Sequence, residues 1–221
     1  MAKRPVFISI DKKPFFKEIV IEFTYNSGFA VKQKKRNIKE IHDAFLKIMP
    51  QAKILEISTK SDDELGVMLS AFNLKDRENR CMEALFQGSK VFENGGPYYD
   101  LYTKSGYEVK KNKPIKGKLK GFLYENIPFP LNPETFFYDW LYVNLIEINE
   151  KETKHKLLDY NAFTDIEFNP KKSINCQARS AAIYVGLSKS GFLREAIQSP
   201  NKFKDLVYSE LDGQLEEMSL F

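Results

Sequence analysis

The residues best placed to do chemistry stand in one run, Glu83-Ala84-Leu85-Phe86-Gln87-Gly88-Ser89-Lys90-Val91-Phe92. At about 100° per residue, positions 83, 86, 87 and 90 fall within one narrow stripe of a helix. Glu83 and Lys90 would stand two turns apart, about 10 Å by helix rise, with the amide of Gln87 between them. An acid and a base at that spacing leave room for a sugar-sized substrate. The same stripe is also what a solvated helix face looks like.

The elements that must position this stripe follow from pattern. Ile19 to Tyr25 alternates and predicts a half-buried strand, turned by Asn26-Ser27-Gly28. Asn37 is a candidate cap for a helix with Ile38, Ile41, Phe45 and Ile48 at helical spacing, ending near Pro50. Lys53 to Ser58 predicts a short strand and 59–66 a polar loop. The signature helix is expected from about Arg80 to Phe92, with Met82, Leu85, Ser89 and Phe92 on its core side and Asn94-Gly95-Gly96-Pro97 stopping it. Residues 103–120, rich in lysine and punctuated by Gly106, Pro114 and Gly117, predict a basic surface loop or ragged hairpin, followed by a strand from Gly121 to Tyr124. Asn132-Pro133-Glu134 has the chemistry of a helix start, with the helix running to about Ile148. Further helices are expected over Lys151–Tyr160 and Asn175–Lys189, the latter stopped by Gly191, and after Pro200. The sum is an α+β fold, mainly helical, forming a single compact domain over 1–221 with a few short strands. Its core covers about 5–195, and the acidic tail at 205–221 is expected to fray.

Composition bounds the function. The chain is 43% hydrophobic and 14% aromatic, enough for one large core, and 29% charged. No apolar run approaches the ~20 residues of a membrane span. The short run Val6–Ile10 behind Lys3 and Arg4 is too brief for a secretory signal. A cytoplasmic location with no membrane partner is therefore expected. Cys81 and Cys176 suggest no disulfide framework, and the isolated His42 and His155 offer no metal site of the usual kind. Neither a Walker loop nor a G-x-G-x-x-G loop is present, so no nucleotide-triphosphate chemistry and no bound cofactor is expected. The net charge of +4 is modest, but its distribution is uneven. Lys32, Lys34, Lys35 and Arg36 form one basic cluster, and Lys104, Lys110, Lys111, Lys113, Lys116, Lys118 and Lys120 form another. Such clusters are solvated faces or sequence-independent phosphate contacts.

The run at 83–92 resembles the E-x-x-F-Q-x-x-K-x-F helix of the NADAR (YbiA-like) superfamily, N-glycosidases of ribosylated or ADP-ribosylated amines. Glu56-Ile57-Ser58-Thr59-Lys60-Ser61, Gly66 through Phe72, Tyr138-Asp139-Trp140 and Thr164 through Pro170 continue the resemblance. Phe86 through Tyr98 and Phe163 through Gln177 are most similar to NADAR antitoxins paired with DarT-type toxins, which ADP-ribosylate guanine in DNA. The chain departs from the superfamily in carrying Ala71 where asparagine is frequent, and in lacking the tryptophan and glycines of the W-G-D-G segment.

The resemblance implies a YbiA-like fold and a site. Cleaving an N-glycosidic bond needs a proton for the departing nitrogen and relief of positive charge at C1″; a ring-opened imine can alternatively be intercepted by lysine. Glu83 takes the acid/base position. Lys90 is the amine nucleophile or a phosphate clamp, with Lys60 as its rival, and Asp165 is the second carboxylate, with Glu167 as the alternative. Gln87 and the Gly95–Gly96 turn would hold the sugar-phosphate beside Ser70. Phe72, Phe86, Tyr98 and Trp140 could form a base-stacking pocket, Trp140 being equally suited to the core. Lys34, Lys35, Arg36, Lys171 and Lys172 are the candidate nucleic-acid contacts. The implied activity is removal of ADP-ribose from guanine in DNA, single-stranded rather than duplex, against a cognate ADP-ribosyltransferase toxin. The alternatives are an N-glycosidase of small ribosylated amines, such as riboflavin-pathway intermediates, and a non-catalytic module binding ADP-ribose or the toxin.

Overall fold

The computed structural model describes residues 1–28, 30–111 and 117–218, with backbone alone from residue 210. The chain begins with a hairpin of β1 (Ala2–Ser9) and β2 (Phe16–Phe23), then α1 (Val31–Leu46), β3 (Ile54–Glu56) and α2 (Glu64–Met68). Next come α3 (Met82–Gly88), β4 (Lys90–Phe92), a 3-10 turn (Tyr99–Thr103) and α4 (Gly106–Lys111). A second hairpin, β5 (Leu119–Tyr124) and β6 (Ile127–Phe129), leads to α5 (Phe136–Glu147), α6 (Lys151–Leu158) and β7 (Ala162–Thr164). The chain closes with α7 (Gln177–Lys189), α8 (Leu193–Ala196) and α9 (Pro200–Met218). The fold is α+β and mainly helical, as the sequence predicts. No helix among the described residues is long and apolar enough to cross a membrane.

Two small sheets frame a helical core. One has the order β2-β1-β7-β3, the other β4-β5-β6. In the first, β1 pairs antiparallel with β2 and β7, whereas β3 runs parallel to β7, with Ile54, Leu55 and Glu56 opposite Ala162, Phe163 and Thr164. That pairing sets the end of β3 beside the end of β7. Helix α5 is buried nearly all round, with Phe137, Leu141, Tyr142 and Val143 fully enclosed, as a helix without a polar face must be. It packs against α7, whose small residues Ala178, Ala181 and Ala182 permit close approach.

Several boundaries differ from the sequence expectation. Helix α1 starts at Val31, and Asn37 lies inside it, buried. Its side chain accepts from the Asn26 backbone N–H at 2.7 Å and donates to the Asn26 carbonyl at 3.0 Å, clamping the helix to the preceding turn rather than capping it. Helix α5 starts after Thr135 rather than at Asn132-Pro133, whose peptide bond is cis. The polar loop 59–66 contains the start of α2, capped by Asp63 on the Leu65 N–H. Within segment 103–120 the described residues include regular structure: Gly106 opens α4 under the Phe72 ring, where a Cβ would lie 2.8 Å from a ring carbon, and β5 begins at Leu119. Lys113 and Lys116 lie outside the described residues. So do the side chains of most of the acidic tail expected to fray, whose backbone is helical to Met218.

The largest correction concerns the signature run itself. The helix ends at Gly88 and the chain turns into β4, so Glu83 and Lys90 do not share one helix face. The cause is packing. A Cβ at Gly88 would meet the Tyr102 ring at 2.6 Å, and Ser89 Oγ donates back to the Leu85 carbonyl at 2.7 Å. Lys90-Val91-Phe92 then pairs with β5 opposite Phe122, Gly121 and Leu119.

Candidate functional site

Helix α3 is anchored at its start by amides that a helix leaves unpaired: Met82 N–H donates to the Leu74 carbonyl and Glu83 N–H to the Ala71 carbonyl, both at 2.9 Å. Glu83 is the only α3 residue not fully buried. One turn on, Gln87 donates Nε2–H to Glu83 Oε1 at 3.1 Å. Gln87 is 3% exposed, and its Oε1 meets no hydrogen-bond donor among the described residues. Lys90, on β4, carries its Nζ 5.0 Å from the centroid of the Phe86 ring, so acid, amide and amine remain neighbours although their element changes between them.

Asp165 follows β7 directly. Its Oδ1 accepts from Glu167 N–H at 2.9 Å and Phe168 N–H at 3.2 Å, an Asx turn, and its Oδ2 lies 4.0 Å from Cys176 Sγ. Burial, and then the charge of Glu56, push the Asp165 carboxyl up to about 8 against those two amides. The acid therefore holds its proton at neutral pH. Burial, and then Asp165, also raise the Cys176 thiol, which makes it a poor nucleophile. Glu167 is exposed and ion-pairs with Lys34 at 3.6 Å; of the two acids, Asp165 is the one turned toward the interior.

Tyr138, on α5, packs beside the signature helix. Its ring meets Phe86 edge-on at 5.1 Å, and its hydroxyl is raised well above the usual range by burial and then by Glu83, with Tyr142, Asp165 and Cys176 adding to it. Gln177, the first residue of α7, accepts from Ala71 N–H at 2.6 Å and donates to the Ile57 carbonyl at 2.8 Å. Ala71 therefore joins α7 through its N–H and Glu83 through its carbonyl. Its backbone makes both links, so alanine serves there as well as asparagine.

Glu56, Tyr138, Gln177 and Ala71 carry no role in the sequence reading. The available signal was weak: a lone acid between Leu55 and Ile57 in a strand, buried together with both.

The other expected site residues divide by location. Ser70 is buried and its Oγ donates to the Val67 carbonyl at 2.7 Å. Lys60 donates to Thr59 Oγ1 at 3.0 Å. Gly95 and Gly96 make the turn after β4, where the Gly95 N–H is directed to the Phe92 carbonyl at 3.4 Å. Tyr98 packs beside Phe92 at 6.4 Å. Phe72 lies under Lys110, whose Nζ is 5.4 Å from its centroid. The expected stacking pocket is not assembled from these aromatics: Phe86 sits among Phe122, Phe137 and Tyr138, and Trp140 packs on Phe129 at 4.9 Å and Tyr124 at 6.1 Å. Both are core residues, filled in on several sides by apolar rings.

Basic residues border the carboxylate cluster. Lys34 and Lys35 reach Glu167 and Asp62 from the start of α1, while Arg36, Lys171 and Lys172 are exposed. Among the described residues no group of three or more His, Cys, Asp or Glu side chains could hold a metal ion.

The family model described as DarT1-associated NADAR antitoxin matches residues 2–216. None of the curated proteins compared with the chain matches it.

Proposed function

The chain belongs to the DarT1-associated NADAR antitoxin family, and on that premise we propose that it is a cytoplasmic hydrolase releasing ADP-ribose from guanine bases in DNA, undoing the lesion made by its toxin. The observation that carries this reading is the path of contacts between the two acids: the Ala71 backbone joins Glu83 to Gln177, and Cys176, next to Gln177, lies 4.0 Å from the Asp165 carboxyl, which is pushed up to about 8 and so protonated at neutral pH. Hydrolysis of an amine-linked ribose asks for that inventory. Asp165 gives its proton to the departing exocyclic nitrogen, and Glu83 faces the positive charge growing at C1″ and guides water to it. Gln87 holds Glu83 in place and leaves its own Oε1 for a sugar hydroxyl. Lys90 either intercepts the ring-opened sugar as a Schiff base or pairs with the diphosphate. Lys34, Lys35, Arg36, Lys171 and Lys172 supply phosphate contacts along a single strand.

The test is incubation of a single-stranded oligonucleotide carrying one ADP-ribosylated guanine with wild type, Glu83→Gln and Asp165→Asn. Wild type should release free ADP-ribose, and each variant should lose turnover by a factor of at least ~100, the usual cost of deleting a general acid–base. Release that survives Glu83→Gln would remove Glu83 from the chemistry. No release by wild type would overturn the DNA-repair reading in favour of a small ribosylated amine or of binding alone.

A further inference from the structure

The buried carboxyl of Glu56 is one the proposed chemistry does not use, and its hydrogen bonds fall on the two residues that bracket Asp165. Thr164 Oγ1 donates to Glu56 Oε2 at 2.6 Å, and Ile166 N–H donates to Glu56 Oε1 at 2.8 Å. Both interactions are buried, and Glu56 is 3% exposed. A strand residue that binds positions n−1 and n+1 of another strand's end has one geometric effect: it fixes the orientation of residue n. The set continues outward, since His42 Nε2 lies 2.9 Å from Thr164 Oγ1. That hydroxyl already gives its proton to Glu56, so it accepts from His42. Glu56, Thr164 and His42 therefore form a directed hydrogen-bond chain behind Asp165.

We propose that Glu56 is a positioning residue for Asp165, holding the two flanking residues so that the Asp165 carboxyl is presented to the site. This rests on the reading of Asp165 as the proton donor. Burial raises the Glu56 carboxyl as well, against the donors it receives from Ile166, Thr164 and Ser58. The other groups facing the pair are Glu167, itself bound to Lys34; Cys176 at the start of α7; Tyr138 and Tyr142 on α5; and His42 on α1. His42 is held neutral by burial, at about 4.

The experiment compares wild type with Glu56→Gln in two ways. Carboxyl-carbon NMR follows the Asp165 titration in the intact protein, and the pH–rate profile follows ADP-ribose release. In Glu56→Gln the Asp165 midpoint should fall by about one pH unit or more, and the alkaline limb of the profile should move down with it, so that activity is lost first at high pH and best retained below pH 6. A purely structural Glu56 would lower thermal stability and the height of the profile while leaving both midpoints in place; that result overturns the proposal. If Glu56→Gln does not fold, wild type alone decides. Glu56 and Asp165 should each show the same two inflections, as coupled groups do, and independent single inflections reject the proposal. Absence of ADP-ribose release by wild type would defeat the proposed reaction without touching the NMR outcome, so the two failures are distinguishable.

Discussion

His42 and Asp165 pull stability in opposite directions as pH changes. Asp165 keeps its proton to about 8 in the folded protein, whereas an unfolded aspartate loses it near the ordinary value. Between about 4 and 8 the native state thus binds more protons, and this group makes stability fall as pH rises. His42 is the reverse case. Held at about 4 by burial, it binds fewer protons than the unfolded chain between about 4 and 6.5, and its contribution is lost as pH falls through that window. His42→Gln, which keeps a donor for Thr164, should therefore flatten the loss of stability between pH 6.5 and 4, recovering on the order of 2–3 kcal/mol at the acid end. Asp165→Asn should remove the decline between pH 4 and 8. Urea denaturation at pH 4.5 and 7 checks both, and unchanged pH slopes would contradict them. Glu83 and Gln87 were legible as candidates because they fall within a motif with a side-chain signature, whereas Asp165 and Glu167 stayed alternatives because the tryptophan and glycines that would mark the position are absent. Ala71 and Gln177 were not, since what they contribute is a backbone N–H, a carbonyl and a generic amide, which any sequence contains.

At the scale of elements, Gly88 lets the end of α3 lie directly against Tyr102, just before the chain enters β4 and Lys90. Gly88→Ala would place a methyl against the Tyr102 ring at 2.6 Å and the Tyr98 carbonyl at 2.8 Å. It should cost about 1–3 kcal/mol by overpacking, read as a lowered melting temperature, and it should shift Lys90 relative to Glu83. A stable variant with full activity would mean that the turn after α3 is not a positioning device. Long patterned helices were readable from sequence: α5, α6 and α7 lie close to their expected ranges. The short strands were read unevenly: β3 and β5 fall where strands were expected, at Lys53–Ser58 and Gly121–Tyr124, whereas β4, β6 and β7 were not anticipated. β3 and β7 have three residues each and exist by pairing with one another across the chain, a partner choice that no local window contains. The β5–β6 hairpin turns through Glu125 and Asn126, both with positive φ and neither glycine, so the usual Asn-Gly turn signal was absent.

Across the whole molecule, one buried network ties the C-terminal helix to the core. Asp139, fully buried, accepts from Arg179, from Ser180 Oγ at 2.5 Å and from Tyr208 OH at 2.5 Å, and Tyr208 also meets Thr135 at 3.1 Å. Asp139→Ala strands the Arg179 cation and should cost about 3–5 kcal/mol, with amide exchange in α9 rising first; protection retained in α9 would argue that the network does not dock it. The basic border makes a separate prediction about binding. Neutralising Lys171 and Lys172 should weaken single-stranded DNA similarly for all sequences and reduce the salt slope by about 0.7 for each phosphate these lysines neutralise. A slope that does not change would take this loop out of the interface. The pairing of β3 with β7 has a last consequence, for timing. Glu56 and Thr164, joined across it, are separated by 108 positions, and the first 131 residues contain Glu56 and Glu83 but neither Tyr138, Asp165 nor Gln177. In a chain emerging from the ribosome the candidate site therefore stays incomplete until α7 is out, because contacts this remote in sequence close only after the intervening segments have formed. The time needed to complete the candidate site is thus set by the length of chain that must be made through Gln177.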